Sequence, residues 1–155
     1  YFNSGMLLMN MKELRNVHLA EHFLYLLNKY HFDCVAPDQD YLNSMCYGKI
    51  EYLDSCWDAM PNRNKPEIEN PKIIHYNLFD KPWCYDDIQY QDYFWEYAKQ
   101  SVYYDKIKAY KAAYTDKQKE DDHAHLLDLF RRAGTNADTE VTFRKVLESG
   151  EKVRL

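Results

Sequence analysis

The chain has 155 residues, is 46% apolar and carries a net charge of −5. That is enough chain for one modest domain with a core, and too apolar for a disordered tail. The acidic balance excludes a dedicated nucleic-acid binder, which needs a basic face, and no stretch approaches the ~18–20 apolar residues of a membrane span.

The chain opens at Tyr1 rather than methionine and runs almost at once into apolar sequence. It is therefore expected to be a piece cut inside a domain, and no basic stretch leading into an apolar run marks a signal peptide. Residues 2–9 read as a Phe-Asn-Ser-Gly turn followed by a buried strand, Met6-Leu7-Leu8-Met9. Over residues 11–30, Leu14, Val17, Ala20, Phe23, Leu24 and Leu27 recur at helical spacing between charges, which predicts one amphipathic helix.

After a short connection at 31–37, Asp38 or Asp40 can cap a second helix running to about Cys46, because an aspartate oxygen satisfies the first free amides. Gly48 ends it, and Lys49-Ile50-Glu51-Tyr52-Leu53 alternates like a half-buried strand. Three prolines make residues 61–71 a loop, and Ile73-Ile74 is the last predicted strand. From Asp86 onward the pattern is helical: an aromatic-rich stretch to about Tyr114, then 123–133, then 138–147, with Gly134 between the last two. This order predicts an α/β structure, part of a mixed sheet flanked by helices and followed by C-terminal helices.

Cys34, Cys46, Cys56 and Cys84 are irregularly spaced and form no C-x-x-C pair. Neither a disulfide framework nor a zinc ribbon is expected, and reduced thiols point to the cytoplasm.

The chemistry-bearing residues gather around the predicted strand ends. Ile73-Ile74 delivers His75 to the place where open α/β sheets collect ligands, and a neutral imidazole is a good ligand for a first-row divalent ion. Lys81 follows one short loop later, held before Pro82, and an ammonium is a point charge for phosphate. Together the two can grip a metal-bound diphosphate. Their ordinary rivals are a hydrogen-bonded strand-end histidine and a surface lysine.

Pro37-Asp38-Gln39-Asp40 puts two carboxylates and an amide at a helix start. A carboxylate there can accept hydrogen bonds from sugar hydroxyls and the amide carbonyl can face an electron-poor carbon, whereas plain helix capping is the rival. Asn3-Ser4-Gly5 can offer a side-chain amide and open backbone amides to a polar ligand, or simply be a turn. His18 and His22 lie four apart, a metal-compatible spacing, yet no third ligand stands near them. Tyrosine is dense, 15 of 155 residues; such rings stack on sugar faces, although the spacing of Tyr90, Tyr93, Phe94 and Tyr97 is that of a core helix.

The order of these blocks resembles the second half of a family 8 glycosyltransferase. Residues 1–10 (Tyr-Phe-Asn-Ser-Gly-Met-Leu-Leu-Met-Asn), Leu14-Arg15, Asp38-Gln39-Asp40-Tyr41-Leu42-Asn43, Gly48-Lys49-Ile50, Ile74-His75-Tyr76 and Lys81-Pro82-Trp83 carry the resemblance. It covers about residues 1–85, the C-terminal half of a catalytic domain, and leaves 86–155 as a helical extension. The resemblance implies a GT-A fold and a retaining hexosyltransferase. Such an enzyme transfers glucose or galactose from a UDP-sugar donor to a glycan or glycolipid acceptor, as the lipopolysaccharide galactosyl- and glucosyltransferases of that family do.

By the same resemblance His75 would be a ligand of Mn2+ and Lys81 would contact the donor diphosphate. Asn3, Ser4 and Asp38 would hold the donor sugar, and Gln39 and Asp38 would be the catalytic residues, with the Gln39 carbonyl placed beneath the anomeric carbon. Where the family's loop after the histidine carries glycine, this chain has Leu78, and the family's Asp-x-Asp metal motif has no counterpart in these 155 residues. The piece alone is therefore expected to be inactive. The enzyme is expected in the cytoplasm, at the inner face of a membrane, where the mixed charge of the last helices allows only weak contact. The rival functional readings are a non-catalytic glycan- or partner-binding module derived from the same fold, and a metal-storing helical protein using its histidine pairs.

Overall fold

A computed structural model describes all 155 residues. It contains seven α-helices: α1 (Met11–Asn16), α2 (Leu19–Tyr30), α3 (Pro37–Met45), α4 (Gln91–Ala98), α5 (Tyr104–Ala113), α6 (Asp116–Thr135) and α7 (Phe143–Glu148). Short 3-10 turns at Ser55–Asp58 and Asn136–Asp138 complete the regular structure.

The expected α/β class with a mixed sheet, the core of a GT-A fold, is not formed. There is no β-strand, and helix makes up about half of the chain. A strand exists only when a neighbouring strand satisfies its backbone groups, and three apolar or alternating runs are not enough. Met6–Met9 lies outside regular structure, with Leu8 85% exposed. Residues 49–53 are likewise irregular and mostly exposed. Ile73-Ile74 comes nearest, through a single parallel bridge between Ile74 and Ala59.

The chain divides into two compact units, residues 1–52 with 128–155, and residues 53–127. In the first, the predicted helix over 11–30 is broken after Asn16, where His18 adopts φ +54°, a left-handed conformation that ends the first helical run. Asn10 starts α1 by accepting from Glu13 N–H at 3.2 Å. In α3, Pro37 takes the first helical position, where its missing N–H costs nothing. Tyr41 and Met45, one turn apart on α3, face the same side and are buried.

They join Leu26 of α2, Phe32, Val146 of α7 and Val153 in the core of this unit. Phe32 stacks on Phe143 at 3.9 Å between centroids, and Tyr41 meets Phe143 edge-on at 4.9 Å. Full burial of each large apolar side chain contributes about 1.5–3 kcal/mol before its ordering cost.

The second unit is built on its own set of buried residues, Ala59, Pro82, Cys84, Ile88, Tyr90 and Ala98. Trp83, Phe94 and Tyr76 form an aromatic cluster beside them, with Trp83 and Phe94 4.9 Å apart. Gly134, expected between two helices, lies inside α6 near its end, and all four cysteines are free thiols. No helix is long and apolar enough to cross a membrane.

Candidate functional site

The candidate residues fall into two groups, one in each unit. In the first unit the opening loop is fastened to the start of α3. Asn43 does most of the fastening: its Oδ1 accepts from Phe2 N–H at 2.7 Å, and its Nδ2 donates to Phe2 O at 2.8 Å and to Gln39 O at 2.9 Å. A side-chain amide exchanging both bonds with the N–H and C=O of one residue fixes register as another strand would.

This brings Ser4, Asp38 and Gln39 together. Ser4 N–H donates to Gln39 Oε1 at 2.9 Å, and Ser4 Oγ–H donates to Asp38 Oδ2 at 2.7 Å. Asn3 turns back on its own loop, where Gly5 N–H donates to its Oδ1 at 2.6 Å. The Gln39 carbonyl is thus oriented by a backbone amide, and it retains a second lone pair. Asp40 works for the fold: its Oδ2 accepts from Val35 N–H at 3.0 Å and Ala36 N–H at 3.2 Å, and its Oδ1 accepts from the Tyr1 hydroxyl. Burial and that bond to Asp40 push the Tyr1 phenol up to about 12.

In the second unit, the 3-10 turn Ser55–Asp58 begins where Asp54 accepts from Cys56 N–H at 2.9 Å. The following residues pair briefly with 72–75: Ala59 N–H donates to Ile73 O, and His75 N–H to Ala59 O, each at 2.9 Å. That short pairing sets the Asp58 and His75 side chains against each other, Nδ1 to Oδ1 at 3.1 Å, with each about a quarter exposed (24% and 28%). With Nδ1–H donating to the carboxylate, Nε2 carries the free lone pair.

Sequence reasoning missed Asp58. Asp58 closes the short 3-10 turn Ser55–Asp58, and nothing local hints at its partner 17 residues later.

Leu78 sits in the loop after His75 with φ +43° and is 56% exposed. This is a left-handed conformation that glycine adopts freely and a leucine adopts under strain. Beyond it Lys81 curls back, its ammonium donating to Tyr76 O and lying 5.5 Å from the centre of the Trp83 ring. Burial lowers its pKa from the ordinary lysine value. An ammonium stripped of water in this way gains more from an anion than an exposed one does.

For metal binding, no group of three or more His, Cys, Asp or Glu side chains is gathered anywhere in the chain. The donor set is one imidazole backed by a carboxylate. It fits a divalent cation as a single oriented nitrogen ligand, and does not enclose one. His18 and His22 do not form a site either: His18 pairs with Glu21 at 3.7 Å, and His22 Nε2 lies 2.8 Å from Val153 O.

No solved structure matches the chain. A Haemophilus influenzae (strain Rd) protein that carries a provisional glycosyltransferase name is 31% identical over 91 residues, covering 54% of this chain. The chain spans 28% of that relative's length. The profile of glycosyl transferase family 8 matches residues 1–87, the stretch that holds both groups of candidate residues. On that match over more than half of its length, the chain belongs to glycosyl transferase family 8.

Proposed function

We propose that the chain carries donor-handling residues of a retaining hexosyltransferase that moves glucose or galactose from a UDP-sugar to a cell-envelope glycan or glycolipid. The observation that carries this reading is the Ser4–Asp38–Gln39 hydrogen-bonded group, assembled within the family match from residues 34 or more apart in sequence.

Breaking the sugar–diphosphate bond places negative charge on the diphosphate and positive charge on the anomeric carbon. Lys81 answers the first, its partly desolvated ammonium exchanging the Tyr76 carbonyl for a phosphate oxygen. The Gln39 carbonyl oxygen, held by Ser4 N–H, presents its negative end to the second. Asp38, held by Ser4 Oγ, accepts hydrogen bonds from donor-sugar hydroxyls, and Asn3 contacts the same sugar. The acceptor hydroxyl forms the new C–O bond on the face the diphosphate leaves, and its proton passes to a departing phosphate oxygen. His75 would give Nε2 to a Mn2+ ion, which supplies additional charge neutralisation on the diphosphate when bound.

The deciding experiment is a nucleotide-sugar hydrolysis screen on the full-length protein with Mn2+, repeated with His75→Ala. Hydrolysis of UDP-glucose or UDP-galactose that falls sharply in the variant is expected. Unchanged turnover in His75→Ala would remove the metal assignment, and no hydrolysis of any UDP-sugar by the parent would remove the enzymatic reading.

A second reading, a non-catalytic glycan-binding module, draws on an open apolar groove of about 550 Å³ in the second unit, lined by Trp83, Phe94, Tyr103, Lys106, Ile107 and Tyr110. Glycan binding undiminished by Gln39→Ala, in a parent without turnover, would favour it.

A further inference from the structure

The turn that begins at Lys81 is held from both sides by residues far along the chain. Lys81 O accepts from Cys84 N–H and from Tyr85 N–H, each at 2.9 Å, so residues 82–84 fold into a tight turn directly behind the lysine. A turn of this kind leaves carbonyls without partners at its far end. Lys111, near the end of α5, fills that need with two of its N–H groups and adds an ion pair. Its Nζ donates to Pro82 O at 2.8 Å and to Tyr85 O, and pairs with Asp86 Oδ1 at 2.9 Å.

The same ammonium stands 5.4 Å from the centre of the Trp95 ring, and the Lys111 side chain is only 21% exposed. A second hold acts on the other end of Tyr85: its hydroxyl donates to Asp122 Oδ2 of α6 at 2.7 Å, and the Tyr114 hydroxyl donates to the same oxygen at 2.6 Å. Tyr85 is thus gripped at its carbonyl and at its hydroxyl. A surface lysine serving only solubility would not make two carbonyl hydrogen bonds and an ion pair to one turn, nor would it be four-fifths covered.

We propose that Lys111 is a positioning residue for donor binding, fixing the 82–86 turn through the carbonyls of Pro82 and Tyr85 so that the Lys81 ammonium is presented to the donor diphosphate. The proposal rests on the reading of Lys81 given above. It also assigns a task to residues beyond the family match, which ends at residue 87.

The test is a double-mutant cycle read as UDP affinity in the presence of Mn2+, by titration calorimetry on the full-length protein, with thermal melts alongside. Lys81→Ala should weaken UDP by about tenfold, the loss of one charge-assisted contact. Lys111→Met should weaken it by about threefold in the parent, and by nothing further in the Lys81→Ala background. In the His75→Ala background the threefold loss should persist. A merely structural role for Lys111 would lower affinity equally in every background.

Should Lys111→Met not give a cooperative melt, Lys111→Gln keeps two N–H donors and should show the same coupling at smaller size. If Lys81→Ala binds UDP as the parent does, the donor-binding reading itself fails. If Lys81→Ala weakens binding but the folded Lys111 variants match the parent, or keep their penalty without Lys81, the positioning role is overturned while the donor reading stands.

Discussion

Asp58 and His75 are joined Oδ1 to Nδ1 at 3.1 Å beside the single β-bridge of the chain, which pairs Ala59 with Ile74. The carboxylate holds the ring in the orientation that leaves Nε2 as its lone-pair nitrogen. Asp58→Ala should therefore weaken Mn2+-dependent UDP binding by about tenfold without abolishing it, as loss of a carboxylate behind a metal-bound histidine does. Calorimetric titration of UDP with and without Mn2+ reads this directly. Equal affinities of variant and parent would mean that Asp58 serves only the fold.

Leu78 marks the opposite case, a residue at odds with its backbone. At φ +43° its Cβ crowds the following carbonyl, and more than half of the side chain faces solvent, so little burial offsets the strain. Leu78→Gly should stabilise the chain by about 0.5–1 kcal/mol, the relieved strain less the added freedom of glycine when unfolded. Leu78→Val, β-branched, should destabilise by about 1 kcal/mol. Chemical denaturation of the two variants checks the sign, and a Leu78→Gly midpoint below the parent would contradict the account.

Helices were more legible than anything else in this sequence, because their signal is local. The existence of α3 could be read from its aspartates, although Pro37 already begins the helix and Asp40 binds the amides of Val35 and Ala36 ahead of it rather than the first free helical amides. The helical spacing over 11–30 was legible too, but Leu24 and Leu27, which helped to mark it, are exposed, and the buried residue of α2 is Leu26. The strands were not legible, since alternation describes which faces are apolar and says nothing of whether a partner is present. Ile73-Ile74 found one bridge, and residues 49–53 found none. The break at His18 was equally hidden, because neither glycine nor proline marks it. Of the candidate residues, Ser4, Asp38 and Gln39 were named in advance for their chemistry. Asn43, which fastens their two segments together, and Asp58 escaped notice because their roles depend on partners 41 and 17 residues away.

Alkaline stability offers a test of the tyrosine network. Burial holds the Tyr76 phenol up at about 12, and Tyr85 and Tyr114 are also raised, the first mainly by burial and the second mainly by its bond to Asp122. A folded-state pKa above the ordinary 10.0 means that the native state keeps protons the unfolded chain gives up. The stability these groups contribute is thus fully present below about pH 10 and is lost as pH climbs through about 12. The thermal midpoint should hold up to about pH 10 and then fall steadily. Asp122→Asn should start lower, with one hydroxyl acceptor weakened, and lose less along the alkaline limb. Parallel alkaline limbs in the two proteins would show that Asp122 does not raise these phenols.

Ser4 and Gln39 separate donor positioning from charge stabilisation. Gln39→Ala removes the carbonyl proposed to face the anomeric carbon, and loss of one such preorganised dipole costs about 100-fold in turnover with little change in donor KM. Ser4→Ala leaves the backbone bond from Ser4 N–H to Gln39 Oε1 in place and removes only the hydroxyl that holds Asp38. It should raise donor KM by about threefold and leave kcat within a factor of about two, because a hydrogen bond to an exposed carboxylate orients ground state and transition state alike. Steady-state kinetics with the UDP-sugar that the hydrolysis screen selects distinguishes the two. A Gln39→Ala protein with full turnover would leave the carbonyl without a role in the chemistry. A Ser4→Ala protein that lost kcat instead of KM would move Asp38 from holding the sugar to acting on the reacting carbon.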